Sequence, residues 1–158
     1  MSSMNELIKE LRINEVINAL ITAFKAGNRD YVSSATELLH EEFTYTVSES
    51  TELTGDTLKR ASILYALYCL SLGILRLMNN EDLTINPIEL LRTSVDNGGD
   101  LSGLTQSLII ASALLIKGDE SWIKNFNELI QGGVNNELFM EILSSFLEVI
   151  RVVKAVNP

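Results

Sequence analysis

Two stretches of this chain are apolar on nearly every side: ILYALYCLSLGIL at residues 63–75 and LTQSLIIASALLI at 104–116. Neither carries a charge. A helix with one apolar stripe lies at a protein surface, whereas one that is apolar all round must be covered all round. The two stretches therefore predict a pair of central helices with the remaining helices packed outside them, or one apolar side buried between subunits. Gly73, Ala111, Ser112 and Ala113 are small and would let neighbouring helices approach closely.

A membrane location does not follow from this apolarity. The longest uncharged apolar run, Ala61 to Leu75, is shorter than the ~20 residues that a bilayer requires, and Arg76 follows at once. The first apolar positions alternate with charges, as in LIKELRINEVI, unlike a signal peptide. The expectation is a cytoplasmic chain with no membrane partner.

Outside the two central stretches, apolar residues recur at spacings of three and four. Leu7, Ile8, Leu11, Ile17, Leu20, Ile21 and Phe24 predict one amphipathic helix ending near Gly27. A second should run from about Asp30 to Phe43, followed by a hydroxyl-rich exposed loop over 44–56. Asp56 or Thr57 is a sound N-cap for a third helix reaching Met78, and Pro87 suits the first turn of a fourth ending at Asp96. Further helices are expected from about Ser102 to Lys117, from Asp119 to Gln131, and from an Asn135 or Asn136 cap to Ala155. The predicted class is all-α. It is a single domain over 1–158 with about seven helices, arranged as antiparallel helical hairpins around two buried central helices. An orthogonal bundle or a short α–α superhelix fits that description.

Three segments echo one another. Glu37-Leu38-Leu39, Glu89-Leu90-Leu91 and Glu128-Leu129-Ile130 each follow a large apolar residue (Tyr31, Leu83, Trp122) by six positions, and a helix break (Gly27, Asn79, Gly118) precedes each apolar residue by four. Three helical hairpins of similar design would produce this pattern, although the separations are unequal and exclude a fixed-period solenoid.

The echo bears on the only histidine. Glu37-Leu38-Leu39-His40 has the spacing by which one helix offers a carboxylate and an imidazole to a metal ion, and Glu41 adds a second carboxylate. The other two copies place Arg92 and Gln131 where the first has His40, so the glutamate belongs to the pattern and the histidine does not. Di-iron bundles need Glu-x-x-His on two helices, and a single histidine cannot complete that arrangement. A zinc site would need Glu37, His40 and one more carboxylate from elsewhere, with no thiolate to help; Glu41 is the other candidate ligand on this helix. The favoured reading is a solvated helix edge carrying Glu37, His40, Glu41 and Glu42, with no metal and no cofactor.

Other chemistries are poorly served. Cys69, the only cysteine, sits inside a central helix, where an apolar environment raises a thiol pKa and removes its nucleophilicity. Gly98-Gly99 lacks the Lys-Ser/Thr of a phosphate loop, and the acids around it lack calcium-loop spacing. The net charge of −9 gives direct nucleic-acid binding no electrostatic support.

The segment TQSLIIASALLIKGDESWIKNFNELIQGGVNNELFMEILSSFLEV resembles the helical hairpin and following acidic helix of carboxymuconolactone decarboxylase-like proteins, over less than a third of the chain. Redox members of that superfamily carry Cys-x-x-Cys and a later histidine. Gly118, Ser121 and Asn125 stand at those places here, so the resemblance implies no thiol chemistry and lends no site.

The expected function is a non-catalytic helical protein-interaction or assembly module, binding itself or another protein. The alternatives are a small helical enzyme or ligand-binding bundle with an inter-helix pocket lined by Tyr65, Tyr68, Trp122 and carboxylates, and a protein-contacting subunit of a nucleoprotein complex.

Overall fold

The computed structural model describes residues 3–157. Among them are eight helices and no strand: α1 (Met4–Lys9), α2 (Ile13–Lys25), α3 (Arg29–Ser48), α4 (Gly55–Met78), α5 (Pro87–Asp96), α6 (Leu101–Lys117), α7 (Ile123–Gly132) and α8 (Glu137–Val156). The two uniformly apolar stretches lie in α4 and α6. Leu64, Leu67, Leu70 and Ile74 of α4 and Leu104 and Leu108 of α6 are fully buried, each contributing about 1.5–3 kcal/mol by leaving water. By length and hydropathy α4 is the one described helix able to cross a bilayer, and 61% of its apolar window is buried inside the protein.

Around this centre, α3 and α4 form an antiparallel hairpin. Arg29 at the start of α3 donates to the carbonyl of Met78 at the end of α4 (2.8 Å), and Glu42 pairs with Arg60 towards the other end (3.0 Å). A second antiparallel hairpin joins α5 and α6, where Ser107 Oγ donates to the carbonyl of Pro87 (2.8 Å). The last helix, α8, packs against α4 and also meets α2 and α6.

Eight helices replace the expected seven because α1 and α2 are separate. Leu11 takes a left-handed conformation (φ 55°). The N–H groups of Leu11 and Arg12 close α1 by bonding back to Ile8 and Leu7, which is how a helix end satisfies its last carbonyls. Apolar residues keep their three-and-four spacing across the break, and leucine carries no turn signal, so periodicity alone runs straight through it.

The 44–56 loop is also shorter than expected. Helix α3 continues to Ser48, and only residues 49–54 connect it to α4. Thr46 is buried, and its hydroxyl donates to the carbonyl of Glu42 (2.8 Å). Ser50 Oγ donates to Thr46 in the same way (2.8 Å). Hydroxyl side chains that bond one turn back can sit inside a helix, so Thr46 does not stop α3, and Ser50 bonds back onto its last turn from just beyond the end. At the start of α4, Thr54 takes the cap position without a side-chain bond. Asn136, one of the two caps expected for the last helix, accepts the N–H of Phe139, and Asn86, just before Pro87, accepts that of Ile88.

The three echoed breaks are real helix ends, with Gly27 (φ 70°), Asn80 (φ 54°) and Gly118 (φ 106°) all left-handed. Asn80 takes the role expected of Asn79. The segments beyond them differ: Tyr31 is exposed, Leu83 half-buried and Trp122 buried. The principal hairpins form at the other connections, α3–α4 and α5–α6.

Two hydroxyls in the centre have no hydrogen-bond partner: Ser62 Oγ on α4 and Ser145 Oγ on α8, both fully buried. An unpartnered buried hydroxyl costs about 1–3 kcal/mol. Ser62→Ala and Ser145→Ala are each expected to stabilise the protein by about 1 kcal/mol, read as a higher urea midpoint at unchanged slope. A lower midpoint for both would show that these hydroxyls find partners in solution.

Candidate functional site

The site candidates of α3 lie along a groove of about 270 Å³ between α3 and α4, lined by Thr36, Glu37, His40, Glu41 and Tyr68. Residues 36, 37, 40 and 41 fall one turn apart, so helical geometry alone lines them up. Thr36 points inward and donates its hydroxyl to the carbonyl of Val32 (2.8 Å), leaving the other three at the rim. Glu37, His40 and Glu41 are exposed. No group of three His, Cys, Asp or Glu side chains among the described residues is placed to hold a metal ion.

Glu42 departs from the solvated edge. Its carboxylate turns inward to Arg60 on α4, with the two side chains only 17% and 29% exposed. Arg60 also donates to the carbonyl of Lys9 at the end of α1 (2.9 Å). Both bonds come from the same terminal nitrogen, so one guanidinium ties together three helices. Sequence reasoning did not single out Arg60; its only signal is a cation on the threshold of an otherwise apolar helix.

Behind the groove runs a file of rings. His40 lies 5.1 Å from Tyr68, Tyr68 lies 5.8 Å from Tyr65, and Tyr65 lies 4.9 Å from Phe43, all between ring centroids. Thr105 Oγ1 donates to the carbonyl of Leu101, so its lone pair receives the Tyr65 hydroxyl proton across a 2.6 Å contact. Burial pushes the phenols of Tyr65 and Tyr68 above their ordinary pKa. Both are neutral at physiological pH and act as hydrogen-bonding packing groups.

The expected aromatic set does not converge. Trp122 belongs to a second cluster with Phe126 (5.4 Å) and Phe146 (6.3 Å). Its indole N–H is engaged by the carbonyl of Asp119 (3.0 Å). Asp119 itself accepts from the backbone and hydroxyl of Ser121, bonds that hold its carboxyl below the usual range. These bonds shape the turn into α7.

Cys69 is fully buried on α4, and desolvation pushes its thiol well above the ordinary value. It remains a protonated packing group, with no route to nucleophilic chemistry.

No family model, curated protein or solved structure matches this chain. The resemblance over residues 105–149 thus finds no counterpart in those comparisons, and no residue role is carried over from it.

Proposed function

We propose that the chain is a non-catalytic helical interaction and assembly module that associates with itself. The observation that carries this reading is the placement of apolar side chains left in water. Of the five large ones exposed among the described residues, three are on α3: Tyr31 (36% exposed), Tyr45 (60%) and Val47 (37%). Exposed aromatic residues are enriched where proteins meet one another. Meanwhile the arginines and hydroxyls singled out above bind helix ends and seams, which makes the interior a scaffold. The net charge of −9 favours protein over nucleic acid as the partner.

Light scattering over a wide concentration range tests the reading. The expected result is a mass that rises above the 17.5 kDa of one chain as concentration increases. A constant single-chain mass removes self-association. The second reading, a ligand-binding bundle, is favoured by the Glu37–His40–Glu41–Tyr68 groove, whose acids and ring suit a cation. NMR shifts of the His40 ring on adding a small organic cation would support it, and an unmoved spectrum would count against it.

A further inference from the structure

The exposed side of α2 carries Glu15, Asn18, Thr22 and Lys25 at spacings of three, four and three, so the four form one stripe along the helix. Beside it is an open groove of about 380 Å³ lined by Asn18, Ala19, Thr22, Ala26, Asn28 and Tyr31. Small residues at Ala19 and Ala26 leave room for a second helix at the close spacing of helix pairs, about 8–10 Å between axes. Lys25 takes part in none of the ion pairs among the described residues, while Glu15 holds Arg12 of its own chain.

The charges on this stripe are disposed symmetrically. Glu15 and Lys25 stand five residues either side of Leu20, and Asn18 and Thr22 stand two residues either side. We propose that this face docks on the same face of a second copy, with the two α2 helices antiparallel about a two-fold axis at the level of Leu20. That register sets Glu15 of each copy opposite Lys25 of the other and Asn18 opposite Thr22. A parallel pairing would set Glu15 against Glu15 and Lys25 against Lys25. Tyr31, from the start of α3, adds the one large apolar side chain to a contact made otherwise of polar side chains and alanines. The contact uses the same patch on both copies, so it closes at two chains and does not propagate into a filament. This surface rests on the self-association reading, from which it takes Tyr31; Tyr45 and Val47, near the other end of α3, lie outside it.

Sedimentation equilibrium of the full chain, with Glu15→Lys and Lys25→Glu variants, tests it. Both positions are exposed, and circular dichroism confirms that each variant stays folded. Each single variant places two like-charge pairs in its own dimer and is expected to weaken dimerisation about tenfold or more. An equimolar mixture of the two variants restores both opposite-charge contacts, so a heterodimer of near wild-type strength is expected. A wild-type dimer that neither substitution weakens, or variants that do not recover on mixing, would overturn the α2 face while leaving self-association standing. A wild-type chain that stays monomeric to millimolar concentration overturns both.

Discussion

Replacing Gly73 by alanine is expected to remove about 3 kcal/mol of stability, even though alanine is intrinsically the better helix former by about 1 kcal/mol. A Cβ built at Gly73 would lie 2.7 Å from the carbonyl oxygen of Ile109, 2.7 Å from Ser112 Cβ and 2.9 Å from the Ala113 nitrogen. Two of these atoms are backbone and the third is fixed to it, so no side chain can swing aside. Accommodating the methyl group forces α4 and α6 apart at their crossing, and the loss spreads to Leu70, Ile74 and Leu108. For a chain of this size the melting temperature should fall roughly 10 °C. Gly132→Ala is the control, because a Cβ there meets nothing within 4 Å. A Gly73→Ala protein that melts with wild type would mean that the two central helices do not touch as closely as described.

The same crossing shows what could be read from the sequence. Uniform apolarity marked α4 and α6 as central, and the small residues Gly73 and Ser112 marked positions of close approach. Which faces meet was not legible, because a helix without an apolar stripe has no preferred side. Helix ends were readable where they carry dedicated chemistry, as at Pro87 and Gly118. They were invisible where an ordinary residue took the role: Leu11 adopts a left-handed conformation because Leu7, Ile8, Val16 and Ile17 are buried on both sides of it. The end of α3 was misplaced for a related reason. Thr46 has loop-like composition, yet its hydroxyl finds a partner one turn back inside α3. At the groove, the shared edge of Glu37, His40 and Glu41 followed from helical spacing. The inward turn of Glu42 depended on Arg60, eighteen residues away, which no local pattern encodes.

The aromatic knot under α7 gives the other large effect. Phe126 is the only residue of α7 that is buried, and it lies 5.7 Å from Phe146 on α8 between ring centroids. Trp122, just before α7, is 4% exposed and contacts both rings. Phe146→Ala is therefore expected to cost about 3–5 kcal/mol, a large share of the 5–15 kcal/mol that is usual for a domain. The damage should be uneven. Beyond this anchor and the neighbouring indole, α7 keeps only half-buried Ile123, Leu129 and Ile130 and its contact with α5, while α4, α6 and α8 retain their own larger contacts. Trp122 is the only tryptophan in the chain, so its fluorescence reports this knot alone. In Phe146→Ala the emission should move to the red at urea concentrations where far-ultraviolet circular dichroism still shows most of the helix. Emission and dichroism that change together, at the wild-type midpoint, would show that α7 is held by something other than these three rings.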